Sequence, residues 1–502
     1  MGLLSKFKSK AQQQVTQGSN EVNDRMTSSS QSTSATARGF VTRRGKQLIL
    51  DDKPFKFVSL NAPELLDDDV NGHFEIQHTM QSLSAQNSFS TSVTRTYTLR
   101  IKSQNIQRGH INGWSSEWND WIWDEQSLKQ FDLVLDQANK NKVKLIIPFI
   151  NNGSESQETN WVGDFYNLIS FKKNLNQFEE CKKINWWKDE EMIESFKLII
   201  DFLSNRRNTI TGVLYRDDPC ILAWETGNEM NHLGMRPAPA SWTLTIANDI
   251  DIMSYHYYGD GDIERLKKDI QYVHEHNKVF IAGEFGFFSK LNEFEQFLKI
   301  LNSNDATGGL IWSLRPASHK GGFKTHSEEG DIPGTKQIQH EEFDSKEFKI
   351  IELIRLYSFK ILKLPLPKQW PIPLKPFQEP FWVHENSNGP AKISFQNPVW
   401  SVQTEILFVQ FNPTLNANNK QNDNDNDDDQ QGQEILSLKT ISDSTKEGCL
   451  KVDVDQEVKH AHHVIRQQQQ QQGHRNLVKF GFRIRGIGVD GQRGPLGPIL
   501  WI

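Results

Sequence analysis

Two apolar runs, each ending in a carboxylate, constrain this chain more than any other feature. Ile221-Leu-Ala-Trp224 reads as a buried parallel strand, and its pattern breaks at Gly227-Asn228-Glu229. Val279-Phe-Ile-Ala-Gly-Glu284-Phe-Gly286 repeats the design and ends on Glu284. A charge beside a strand buried on both faces is costly unless it is used or paired. An α/β barrel gathers such strand ends at one face and does its chemistry there.

The rest of the chain fits around these runs. Phe40 to Leu50 predicts a hairpin lid on the barrel floor, turning at Arg44-Gly45-Lys46. Strands are expected at 55–61, at 92–99 with Arg95, at 143–150 before Asn151-Asn152, at 250–258 and at 308–312. Helical spacing falls between them, at 73–87, 125–141, 187–205, 263–277 and 291–302, with a closing helix at 345–362. Strands alternating with helices predict a parallel sheet closed as a TIM (β/α)8 barrel over residues 39–363.

The count reaches seven strands, and the shortfall can be placed. Each unit of an eight-fold barrel takes about 30 residues. If the strands ending near Glu229 and His256 are the fourth and sixth, the interval needs about 55–60 residues at that rate. It holds 27 positions, and no strand-like segment lies among them. The barrel is therefore expected to lack its fifth βα unit, through a truncated gene model or a splice variant.

Composition closes off several functions. The net charge is −6, and the one basic cluster is the short Lys6, Lys8, Lys10 group, so nucleic acid is not an expected partner. No apolar run approaches the ~18 residues of a membrane span. Cys181, Cys220 and Cys449 are too few and too scattered for a disulfide framework or a zinc site. No His/Asp grouping has ligand spacing along the chain, so neither a metal nor an organic cofactor is implied. Residues 1–38 read as a disordered polar arm without a signal-peptide core, which makes the cytoplasm the default location. Met1-Gly2 resembles a myristoylation start, but Ser5 comes one place early and Lys6 holds the hydroxyl position, leaving a weak route to membrane association. Asn152-Gly153-Ser154 is a glycosylation sequon, expected to be silent.

After the barrel, 364–378 reads as a Pro-rich linker. Residues 379–502 alternate like a small all-β sandwich, with polar inserts at 416–433 and 467–472 expected to be disordered loops. Phe480 to Leu496 resembles the end of a fibronectin type III domain; an unnamed β-sandwich is the alternative.

Two glutamates, each at the end of a buried strand, suit glycosidic cleavage, in which one carboxyl gives a proton and the other attacks as an anion. The motifs carry a family likeness. Trp224-Glu-Thr-Gly-Asn228-Glu229, then His256-Tyr-Tyr258, then Gly283-Glu284-Phe-Gly286 resemble a retaining glycoside hydrolase of the family 5 type, nearest its endo-β-1,4-mannanases, over residues 40–362. The resemblance implies Glu229 as general acid/base and Glu284 as nucleophile. It implies Asn228 on the sugar 2-hydroxyl, Arg95 ion-paired to the nucleophile, Tyr258 donating to it, and His256 lining the cleft. Trp312 would floor the subsite of the cleaved sugar, with the Arg315 loop beyond it.

Each of these residues also has a plainer reading: a paired barrel-end charge for the glutamates, a surface ion pair for Arg95, a turn for Asn228, a satisfied core group for His256, packing for Trp312. Trp161, Trp114 and Trp118 are candidate outer sugar platforms or ordinary packing. Glu225 is expected to face the barrel wall rather than substrate. The implied substrate is a mannan-type polysaccharide or oligosaccharide. Another β-glycan, such as a β-glucan, and an inactive sugar-binding remnant are the alternatives. Met230-Asn231 stands where plant and fungal mannanases commonly read Pro-Arg, so the downstream rim differs.

Overall fold

The computed structural model describes residues 39–69, 72–88, 90–152, 161–230, 249–259, 261–316, 345–373, 375–376, 380–383, 390–396, 398, 400–401, 403–411, 433–442, 449–472, 477–488 and 490–502. The polar arm and the myristoylation start lie outside them. The chain divides into one unit ending at Phe40 and a second, Val41–Ile502, which holds everything below.

The second unit opens with a three-stranded antiparallel sheet, β1 (Val41–Arg44), β2 (Gln47–Leu50) and β3 (Lys53–Phe55). Leu48 and Phe55 cluster with Phe57, Val93, Ile146, Val279, Ile281 and Leu310 of the barrel strands, so this sheet closes the barrel interior as a lid. Next come β4 (Phe57–Leu60), α1 (His73–Gln86), β5 (Ser92–Arg95) and a hairpin of β6 (Ile111–Ser115) and β7 (Asp120–Trp123). Then follow α2 (Glu125–Lys140), β8 (Val143–Pro148), α3 (Phe165–Lys173), the short α4 (Phe178–Cys181), α5 (Glu190–Asn205) and β9 (Ile221–Glu225). The barrel part ends with β10 (Ile252–Tyr258), α6 (Asp262–Glu275), β11 (Val279–Gly286), α7 (Leu291–Ser303), β12 (Gly308–Ile311) and α8 (Ser345–Ile361).

Helices α2 and α5 start where the sequence supplies caps. The Asp124 side chain accepts from Ser127 N–H at 2.9 Å, and Asp189 from Met192 N–H at 3.0 Å, satisfying amides that an α-helix leaves open. Apolar faces such as Leu128, Phe131 and Leu135 of α2 then pack into the main core.

Among the described residues, seven parallel strands form two arcs, β5-β8-β9 and β10-β11-β12-β4. In the second arc Gly308 lies opposite Phe57, and a Cβ there would run into the Phe57 ring. The arcs meet between β4 and β5, where Ala62 N–H donates to Arg95 O at 3.0 Å and the Thr94 hydroxyl to Leu60 O at 2.8 Å. The other junction, β9 to β10, differs. Among the described residues no strand lies between them and no ladder joins them. Whereas β8 and β11 are buried throughout, β9 and β10 are mostly half-exposed. Residues 231–248 of this interval lie outside the described residues.

The C-terminal part has two antiparallel sheets. One orders β13 (Phe381–Val383), β14 (Lys392–Gln396) and β17 (Cys449–Asp453); the other orders β16 (Gln433–Ser442), β15 (Gln403–Phe411), β18 (Lys479–Ile487) and β19 (Leu500–Trp501). Ile393 and Phe395 of the first sheet and Phe408, Phe480 and Phe482 of the second share one cluster, joined by Ala461 of α9 (Asp455–Gln472).

Two expectations change here. Gln467–Gln472 were expected to be a loop but form the last turns of α9. Glutamine is a good helix former, and a helix already nucleated and packed through Ala461 extends through it at little cost. Of the insert at 416–433, Gln433 starts β16 and the rest lies outside the described residues. The Pro-rich segment is more than a spacer. Arg355 of α8 donates to Gln369 O at 3.0 Å and lies 5.6 Å from the Trp370 ring. Trp370 N–H reaches Asp490 at 3.2 Å, and Pro373 sits so close to Gly494 that a Cβ there would lie 2.5 Å from its carbonyl oxygen.

One buried histidine has no part in the candidate site. His110 Nδ1 accepts from Arg100 N–H at 3.0 Å. Burial, with Arg100 beside it, holds its ring neutral, with the pKa lowered to about 3.

Candidate active site

The carboxyl ends of six barrel strands converge on one cluster. Arg95, fully buried at the end of β5, is its hub. Its Nη1 donates to Glu284 Oε1 at 2.7 Å, and its Nη2 to Asn228 Oδ1 at 2.9 Å. Its Nε and Nη2 grip Glu225 at 2.6 and 3.0 Å. Burial lowers the guanidinium pKa, but Glu225 and Glu284 outweigh it and raise the net value.

Glu284 is buried on β11 and accepts a short hydrogen bond from the Tyr258 hydroxyl. Burial pushes its carboxyl above the usual range; His256 and Arg95 pull it down, Glu229 adds to the rise, and the Tyr258 hydrogen bond opposes it. Glu229, just beyond β9, has a side chain 44% exposed and a left-handed backbone at φ 51°. That region costs a residue with a Cβ and concentrates at sites where geometry is over-determined. His256 stands between the glutamates, its Nδ1 3.3 Å from Glu229 Oε1 and 3.4 Å from Glu284 Oε2. One oxygen from each glutamate and one His256 nitrogen all lie within 4.8 Å of one another.

Asn228 is buried and fully engaged. Its amide donates to the Tyr97 hydroxyl and to Asn151 Oδ1, both at 2.9 Å. Gly227 permits the tight approach, since a Cβ there would lie 2.7 Å from Ile150 O. Tyr97 stacks on Trp161 at 4.8 Å and meets Trp312 edge-on at 5.9 Å, so three rings form a row beside Asn228. A cis peptide bond joins Trp312 to Ser313. Arg315 lies over the Trp312 ring at 5.6 Å and is paired with Glu64.

The eight residues singled out for the site therefore lie in one connected network, with Tyr97 joining Trp161 and Trp312 to Asn228. Trp114 and Trp118 touch none of them. Trp114 is packed under the Lys172 ammonium, 3.6 Å from the ring centre, and against Trp121; Trp118 is exposed on the β6–β7 turn. Three members went unrecognised in the sequence. Glu225 was assigned to the barrel wall, yet it points inward and clamps Arg95. Tyr97 lies two residues past Arg95, on the same side of the extended chain, and Asn151 lies three residues past β8, bridged to Asn228. The fold also groups Glu229, His256 and Glu284 as possible metal ligands, from positions too far apart for any ligand spacing to be read.

Residues 39–294, just over half of the chain, match the family model for glycoside hydrolase family 5 β-mannosidase-like proteins. Mannan endo-1,4-β-mannosidase 3 of Arabidopsis thaliana is 28% identical over 217 residues, covering 42% of this chain and 46% of that one. Mannan endo-1,4-β-mannosidase 2 of Oryza sativa subsp. japonica is 30% identical over 197 residues, covering 38% and 39%. The chain thus spans less than half the length of either relative. The endo-1,4-β-mannanase from Rhizomucor miehei is similar in structure, with a TM-score of 0.47 and 18% identity over 64% of this chain and 99% of that one.

Proposed function

The chain belongs to the glycoside hydrolase family 5 β-mannosidase-like family, and from that premise we propose that it hydrolyses internal β-1,4 bonds of a mannan-type polysaccharide with retention at the anomeric carbon. The observation that carries the reading is the approach of Glu229 and Glu284, whose oxygens lie within 4.8 Å of each other at the strand ends. Retaining enzymes hold their carboxyl groups about 5–5.5 Å apart, too close for an intervening water.

Environment divides the roles. Glu229 is open to a leaving group and gives its proton to the glycosidic oxygen. Glu284, anchored by Arg95 and Tyr258, attacks the anomeric carbon as the bond to that oxygen breaks. Glu229 then takes a proton from water, whose oxygen displaces Glu284 and frees the sugar. Asn228 meets the 2-hydroxyl, its amide held in place by the Tyr97 hydroxyl and Asn151 Oδ1. The Trp161, Tyr97 and Trp312 row offers ring faces to neighbouring sugars. Two relatives whose names state mannan endo-1,4-β-mannosidase favour mannan over β-glucan.

We also read the interval between β9 and β10 as lacking a fifth βα unit, supported by the half-exposed faces of those strands. An in-frame stretch of about sixty codons, two barrel units' length, in the genomic DNA between Ala247 and Asp249 would account for it. Continuous coding there would favour the remnant. The C-terminal sheets are read as a fibronectin type III-like module.

The test is release of reducing ends from β-1,4-mannan, with the first-formed anomer followed by proton NMR. Retained β-anomer is expected, with a loss of about 100-fold or more in Glu229→Ala and Glu284→Ala. A well-folded chain inactive on both mannan and cello-oligomers would defeat the reading.

A further inference from the structure

We propose that Glu229, His256 and Glu284 form a binding site for a divalent transition metal, Zn²⁺ or Cu²⁺, and that the metal switches the site off. The spacing fits before anything moves. A tetrahedral zinc ion with bonds of about 2.0–2.1 Å holds its ligand atoms about 3.3–3.4 Å apart. His256 Nδ1 lies 3.3 Å from Glu229 Oε1 and 3.4 Å from Glu284 Oε2. The third edge, between the glutamate oxygens, is bounded at 4.8 Å and closes by rotation of Glu229, whose side chain is 44% exposed.

The surroundings supply what such a site needs. Glu284 is fixed by Arg95 on Oε1 and by the Tyr258 hydroxyl on Oε2, which keeps a second lone pair on Oε2 for a metal. The His256 carbonyl accepts from Arg265 at 2.6 Å, which steadies the backbone that carries the ring. Charge points the same way. Glu225 and Glu284 both pair with the guanidinium of Arg95, and Glu229 lies beside Glu284, so a dication brings positive charge where carboxylates gather. Three protein ligands leave one position open. An imidazole with two carboxylates selects zinc and copper over magnesium and calcium, which prefer all-oxygen shells of higher coordination. A bound ion would occupy the Glu284 lone pair and the Glu229 oxygen together, leaving neither an attacking anion nor a proton donor.

The binding stands on geometry alone; the inhibition rests on the hydrolase reading, and the experiment separates them. The full chain, freed of metal with EDTA, is titrated calorimetrically with ZnCl₂, MgCl₂ and CaCl₂. One saturable zinc site is expected, with no magnesium or calcium site. His256→Gln and Glu229→Gln should each weaken zinc binding about tenfold or more. A His460→Gln/His463→Gln double variant on α9, away from the barrel, should leave it unchanged. Thermal melting without metal checks that each variant is folded. Zinc should stop mannan hydrolysis over the same concentrations, and EDTA should restore it. No saturable zinc binding, or binding unchanged in folded Glu229→Gln, overturns the proposal. A chain inactive on all glycans that still binds zinc defeats the hydrolase reading alone.

Discussion

Glu225 and Arg95 are joined by two hydrogen bonds, of 2.6 and 3.0 Å, so one carboxylate aims the guanidinium on which another, Glu284, depends. Glu225 also draws off part of the positive charge. In Glu225→Gln that competing charge disappears and Arg95 acts on Glu284 alone. The ionised form of Glu284 then becomes easier to reach, and the acidic limb of the kcat/KM profile should move to lower pH. The amide also turns N–H groups toward the guanidinium, so unfolding in urea should show a loss of about 3 kcal/mol.

Tyr97 holds Asn228 from the side opposite Arg95. Tyr97→Phe keeps the ring row with Trp161 and Trp312 but removes the acceptor for the Asn228 amide. One lost hydrogen bond of about 1–1.5 kcal/mol corresponds to roughly a tenfold fall in kcat/KM. The loss should appear in steady-state rates on mannan oligomers, and a substrate lacking the 2-hydroxyl should show a smaller ratio between the two proteins.

The site was more legible than the fold around it. Glu229, Glu284, Asn228, His256 and Tyr258 sit at ends of apolar runs, where burial makes a polar residue conspicuous. Glu225 was misread because only one end of its contact is visible in the sequence: Arg95 lies 130 positions away. The β6–β7 hairpin went unseen because Trp114 and Trp118 were weighed as sugar platforms, while the cross-strand pairing of Trp114 with Trp121 is not visible locally. The glutamine tract looked disordered on composition, since nothing local says that a packed helix precedes it. The chemical exceptions were thus easier to read than contacts that depend on distant partners.

His110 makes a pH prediction independent of activity. Its pKa is about 3 in the folded protein and about 6.5 when unfolded. Between these values the unfolded chain binds more protons, so stability is fully present above about pH 6.5 and falls as pH drops toward 3. From pH 6.5 to 5 this one residue contributes a loss of about 2 kcal/mol. His110→Asn, which keeps an acceptor for Arg100 N–H, should lose that much less when urea unfolding is compared at the two pH values.

The two half-exposed strands predict a pattern of hydrogen exchange. β8 and β11 each pair on both edges, while β9 and β10 each pair on one among the described residues. Amides of β9 and β10 that face away from β8 and β11 should exchange faster than those of the central strands by roughly a hundredfold or more. Uniform protection across all four strands would mean that the junction is filled.

That junction bears on stereochemistry. Glu229 follows the last strand of one arc, and Glu284 belongs to the other. The span between them is therefore set at the far side of the ring, where β4 meets β5, and by the Arg95 and His256 bridges. The ring behaves as a clasp. Opened by a few ångströms, the same two carboxylates would admit a water between them, and the anomeric outcome would invert. On the proposed retaining reading, the handedness of the product is a property of how firmly the barrel closes.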